Sequence, residues 1–156
     1  MNEVVIKPHH FLDIIKLYGA GITDFVPDQA YQHDFYRIAN LLLADPDQPL
    51  RLTIHGDDIC IPCKYYSRQG EGICTDHIAH IPGMDSKDEW NKVLDQRILL
   101  LVLPDQGRSC TAARLCRLLY DNREFIYEIW KEDDREKTTE RYRLFQAGAE
   151  KYLGSV

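Results

Sequence analysis

Leu50-Arg51-Leu52-Thr53-Ile54-His55-Gly56-Asp57-Asp58-Ile59-Cys60-Ile61-Pro62-Cys63 is the stretch that decides the fold. Its first five residues alternate apolar and polar, the pattern of a half-buried strand. The strand leads directly into two carboxylates and a Cys-x2-Cys turn. From Cys60 to Gly83 the chain is rich in Gly, Pro and polar residues. Such a segment cannot bury a core of its own, so the cysteines are what could hold it together.

Outward from this stretch, the chain reads mostly as helix. Ser86-Lys87-Asp88-Glu89 matches a capping box, in which Ser caps the helix and Glu reaches back three residues. The helix it opens runs to about Leu101, with Trp90, Val93, Leu94, Ile98 and Leu101 on one side, and Pro104-Asp105-Gln106-Gly107 breaks it. A further helix is expected over Thr111 to Tyr120. An amphipathic stretch follows over Glu124 to Tyr152, interrupted near Asp133. In the other direction, Asp45-Pro46-Asp47-Gln48-Pro49 is a turn. Pro27-Asp28 opens a helical segment reaching Leu43. Gly19-Ala20-Gly21 ends a helix whose Phe11, Ile14, Ile15 and Tyr18 keep 3.6-residue spacing. Pro8 suits the first turn of that helix, and Val4-Val5-Ile6 before it is a short β-branched strand. The expected fold is α+β, predominantly α-helical, with one small β-sheet and a cysteine-rich metal-binding loop, in a single domain over residues 1–156.

Composition narrows the function. Hydrophobic residues at 44% and charged residues at 28% are ordinary for a globular chain. The net charge of −6 argues against a broad nucleic-acid-binding face, which needs clustered Lys and Arg. The longest apolar run, Ile98 to Leu103, is too short to span a bilayer. Nothing near Met1 resembles a secretory signal, so a cytoplasmic protein with reduced thiols is expected. No Gly-rich phosphate loop, nucleophile elbow or paired-histidine protease motif is present.

Five cysteines, an odd count, do not suit a fully paired disulfide framework. Cys60, Cys63 and Cys74 form the metal-binding pattern, because thiolates are the soft ligands that zinc and iron–sulfur clusters select. Gly70-Glu71-Gly72 before Cys74 lets the backbone fold closely. A closed zinc site needs four ligands, and His77 completes Cys-x2-Cys-x10-Cys-x2-His. Cys110 and Cys116 are six apart on one expected helix and cannot share a local metal. Cys116 borders the apolar Leu115, Leu118 and Leu119 and is expected in the core. Cys110 sits near the helix start beside Arg108, Arg114 and Arg117, which would lower its pKa. It is an incidental thiol, a reactive one or a remote fourth ligand.

Pro8-His9-His10-Phe11-Leu12-Asp13 is the second unusual element. His9 and Asp13 are four apart on a helix and His10 and Asp13 are three apart, which puts them on one face. They could bind metal or move protons. His55 could support the site and His80 could be a spare ligand. Asp57 or Asp58 could orient a ligand or cap the Cys60 turn.

Lys7-Pro8-His9-His10-Phe11-Leu12, Asp57-Asp58-Ile59-Cys60-x2-Cys63 and the later Cys74 together resemble a family of short bacterial and archaeal proteins described as iron–sulfur binding. The resemblance covers the first half of the chain and is loose after Gly83. It implies a cofactor class, not a reaction. Family members carry a cysteine just after the paired histidines, where this chain has Asp13. The resemblance thus implies an iron–sulfur cluster, [4Fe–4S], on Cys60, Cys63 and Cys74, with Asp13 or His10 as a fourth, labile ligand. His9 and His10 would then serve proton transfer in non-redox chemistry or sulfur handling on a small-molecule substrate. The alternative is a zinc-binding module closed by His77, with a structural or interaction role. A third reading is a one-electron carrier.

Overall fold

Two short strands enter the site from the same end of a sheet. The computed structural model describes residues 2–102 and 108–154. Strand β1 (Val4–Ile6) leads into helix α1 (Pro8–Gly19), helix α2 (Phe35–Ala44) follows, and strand β2 (Pro49–Leu52) returns beside β1. The two pair in parallel, Val4 opposite Leu50 and Ile6 opposite Leu52. Both therefore run toward one end of the sheet. From that end β1 delivers the histidines of α1, and β2 delivers Asp57 and the first cysteines.

The cysteine segment forms two ribbons, β3 (Tyr66–Ser67) with β4 (Ile73–Cys74), and β5 (His77–Ile81) with β6 (Met84–Ser86). Helix α3 (Lys87–Val102) follows. Ser86 caps its N-terminus as the sequence predicts, with the Glu89 N–H donating to Ser86 Oγ at 3.2 Å. Strand β7 (Ser109–Thr111) then pairs antiparallel to β2, giving the order β1-β2-β7. Helices α4 (Ala112–Asp121), α5 (Ile126–Ile129) and α6 (Arg135–Leu153) complete the described chain. The fold is α+β and dominated by helix, as expected, with its strands shared among one three-stranded sheet and two ribbons. Leu101 and the Pro104–Gly107 break lie outside the described residues and side chains.

One hydrophobic core joins these parts. Ile6, Phe11, Leu12, Ile15, Leu42, Leu50, Leu115 and Phe145 are all fully buried in it. Trp90, Leu94 and Ile98 bury the core face of α3, and Trp130 and Phe145 from the C-terminal third of the chain join them. Helices α1 and α6 pack backbone to backbone where Gly19 meets Gly148. A Cβ on Gly148 would strike the Ile15 carbonyl, and one on Gly19 would strike the Leu144 carbonyl. Glycine in mid-helix costs roughly 1 kcal/mol against alanine, and at Gly148 it permits the close approach of α1 to α6.

One helix starts later than the sequence suggests. Residues 27–34 are non-helical, with a turn at 29–31, and α2 begins only at Phe35. Asp28 accepts from the Ala30 and Tyr31 N–H groups through its own side chain. Gln32 takes a positive φ of 61°. This local Asp bonding competes with a helical start and turns Tyr31 and His33 toward the site.

Candidate metal centre

Asp57 is the hub. It is 1% exposed, and both carboxylate oxygens are committed. One accepts from the Ile59 N–H at 3.1 Å and the Cys60 N–H at 3.0 Å. The other accepts from the Lys7 N–H at 2.7 Å and from His10 Nδ1 at 2.8 Å. Asp57 thus caps the Cys60 turn and ties it to the start of α1. Burial opposes its ionisation, but the His10 ring, the Lys7 ammonium and these N–H groups hold its carboxyl well below the usual range. Asp58 accepts from the Val5 N–H at 2.9 Å and extends the pairing of β1. Both carboxylates have structural duties.

An ionised Asp57 makes His10 Nδ1 the donor, which leaves Nε2 as the nitrogen able to bind metal. A carboxylate holding the far nitrogen of a histidine is the usual support of a metal ligand. Burial lowers the pKa of His10 despite Asp57, which favours the neutral imidazole that metals bind. His9, beside it, donates its backbone N–H to Asp95 at 2.8 Å and meets the same carboxylate through Nδ1 at 2.9 Å. Asp95 is fully buried on α3. The two imidazole rings lie 4.4 Å apart, each on its own carboxylate.

The cysteines gather around this pair. Cys63 closes the turn by donating its N–H to the Cys60 carbonyl at 2.8 Å. Cys74 is fixed from α3, its N–H donating to Asp88 at 2.9 Å. Gly72, at φ +94°, lies under the Tyr66 ring, which a Cβ there would strike. Cys60, Cys63, Cys74 and His10 line one pocket of about 430 Å³, counting its open part, together with Lys7, Tyr31, Lys87 and Asn91. His10, Asp57 and Cys60 place donor atoms within 4.8 Å of one another and could hold a metal ion. Burial, helped by Asp57, pushes the Cys60 thiol up to about 12, and burial also raises Cys74. Without a bound cation these thiols stay protonated, so metal loading must release protons. A thioredoxin-like dithiol would need the opposite shift.

The other expected ligands stand elsewhere. Asp13 lines an adjoining pocket with His9, His10 and Lys16, not the cysteine pocket, and its carboxylate is 3.5 Å from Lys16 Nζ. His77 and His80 are exposed on β5 and line neither pocket. Regular alternation would put His77 on the face of the buried Ile81, but the ribbon shifts register between the two and only Ile81 is buried. His55 pairs with Glu71 through Nε2 at 2.9 Å. Cys116 is fully buried, as expected. Cys110 departs from expectation. It lies in β7 opposite Leu50, and burial raises its pKa although Arg114 opposes this. It does not line the cysteine pocket.

Lys7 and Asn91 are residues that the sequence reading missed. Lysine is rarely buried, yet Lys7 is 1% exposed and lines the pocket. Its one sequence signal is its place directly before Pro8-His9-His10.

The chain matches no protein-family model, no curated protein and no solved structure. Among the described residues, no helix is long and apolar enough to cross a membrane.

Proposed function

We propose that this protein carries an iron–sulfur cluster, [4Fe–4S], on Cys60, Cys63 and Cys74, with His10 Nε2 as a fourth, exchangeable ligand. One observation carries the reading: three thiols from the 53–86 segment and the imidazole of a distant helix line the same pocket. The motif resemblance points to the same cofactor.

When bound, such a cluster supplies Lewis-acid or sulfur-handling chemistry at the iron that lacks a thiolate. The chain supplies the rest. Asp57 orients His10 so that it can bind or release. His9, held on Asp95, lines the adjoining pocket, which shares His10, Tyr31, His33 and Lys87 with the cysteine pocket. Its Nε2 would take or give a proton there. The substrate is a small molecule.

The proximity of His10, Asp57 and Cys60 favours a second reading, a mononuclear ion such as zinc with a structural role. It is the weaker one, because both Asp57 oxygens already accept two hydrogen bonds each.

Oxygen-free purification with a visible spectrum and assays of iron, zinc and acid-labile sulfide tests both. Brown protein with matched iron and sulfide is expected. Colourless protein with one zinc and no sulfide would sink the cluster.

A further inference from the structure

Two buried polar side chains in the cysteine pocket have no partner in the fold. Lys7 is 1% exposed and Asn91 is 7% exposed, and both line the pocket. Among the described residues, the Lys7 ammonium makes no hydrogen bond or ion pair, and neither does the Asn91 amide. No fully buried side-chain nitrogen or oxygen among the described residues lacks a partner, so the polar tips of Lys7 and Asn91 reach the accessible surface of the pocket they line and are free to meet a ligand there. No carboxylate closes on the Lys7 ammonium within ion-pair distance. Cys60, Asp57, Asp95 and Asp88 act on it, in that order, yet Asp57 is held by His10 and backbone N–H groups, Asp95 by His9, and Asp88 by Lys92 and the Cys74 N–H. Their field favours a cation at Lys7 without using its three N–H donors.

We propose that Lys7 and Asn91 form a carboxylate-binding subsite beside the cysteines. One oxygen of a small carboxylate would accept from Lys7 Nζ and the other from the Asn91 amide N–H2. Lys87, half-buried on the same pocket, stands 4.7 Å from the centre of the Tyr31 ring and is paired with Asp76 at 3.4 Å, forming part of the wall. Tyr31 and Tyr65 give the rest of the molecule an apolar surface. The subsite names the substrate class for the function proposed above, a small carboxylic acid. It deepens that reading, yet its donors belong to the chain and do not need iron.

The test uses acetate as probe and acetamide, its neutral isostere, as control. Binding is measured by ligand-observed NMR on the full chain, both as purified without oxygen and as reduced, metal-free protein. Acetate should bind saturably and acetamide should not. Lys7→Met should weaken acetate about tenfold or more, as loss of a charge-assisted hydrogen bond does, and Lys7→Arg should recover much of it. Asn91→Leu should weaken it less. Equal binding of acetate and acetamide, or acetate binding unchanged in Lys7→Met, overturns the proposal. So does a Lys7→Met protein that loses metal while keeping acetate, because Lys7 would then only balance thiolate charge. Should Lys7→Met not fold, unchanged acetate binding in Asn91→Leu is decisive against it. Lys7-dependent acetate binding in a protein that never contains iron would remove the cluster and leave the subsite standing.

Discussion

The helical body and the cysteine segment are held by different forces. In the body, α1, α4 and α6 bury Phe11, Ile15, Leu115, Leu119 and Phe145, and α1 meets α6 through glycine backbones. In the segment from 53 to 86, the buried apolar side chains are Ile59 and Ile81. Its order comes instead from carboxylates reaching backbone N–H groups, Asp57 to Cys60 and Asp88 to Cys74. Apolar burial is non-directional and sums over many contacts. The polar clamps are few and directional, so each one matters alone. The body is held by its apolar core, while the site depends on its clamps and, in our reading, on its metal.

The largest expected effect attacks the body. Gly148→Val drives a branched side chain into the Ile15 carbonyl and should cost about 3 kcal/mol or more, as overpacking without room to relax does. Urea unfolding measures it, and a loss below about 1 kcal/mol would mean that α1 and α6 are free to separate. Next is the hub of the segment. Asp57→Ala leaves the Lys7, Ile59 and Cys60 N–H groups and His10 without their acceptor, and should cost about 3 kcal/mol. Metal content should fall with it, and a variant that keeps its full metal would show that the clamp does not shape the site.

A matched pair of cysteines sharpens the contrast. Cys116→Ser puts a hydroxyl in the core and should cost about 2 kcal/mol with metal content unchanged. Cys60→Ser should do the reverse, shifting metal-free stability by under about 1 kcal/mol while metal content drops. If both variants lose stability and metal together, the two regions are one cooperative unit.

The smallest effect is the pH dependence of the metal-free protein. His10 has a lowered pKa, so the unfolded chain takes up a proton near pH 6.5 that the folded one refuses. Its stabilising share is present above that pH and fades below it. Asp57 is also depressed, so its share is present above about pH 4 and is lost as pH falls toward its lowered value. Unfolding free energy should therefore sag gently below about pH 6.5 and more steeply below about pH 4. An Asp57→Asn variant should lose the steeper limb, and its persistence would place the acid sensitivity elsewhere.

Much of this arrangement could be read along the chain, because its signals are local. Helical spacing in α1, the capping box at Ser86 and the break near Asp133 each depend on residues within a turn or two. The Cys-x2-Cys and the paired histidines announce metal chemistry for the same reason. The late start of α2 was hidden because Asp28 can either cap a helix or fold back on its own turn, and composition does not choose. Strand β7 was hidden because three residues, Ser109 to Thr111, carry no periodicity.

By itself, then, the sequence determined the helical character, the strand before the cysteines and the three thiols as one group. Tertiary structure alone decided who joins them. The parallel pairing of β1 with β2 brings His10 and Asp57 together across 47 residues of chain, and it draws Lys7 inside with them. Asp13 has helical spacing to His10, but spacing fixes only a face, and the adjoining pocket lies along that same face. His77 has ligand spacing to Cys74, but its ribbon turns it to solvent. Spacing measures distance along the chain, whereas a ligand set is fixed by direction in space, and direction is set by how strands pair and helices pack.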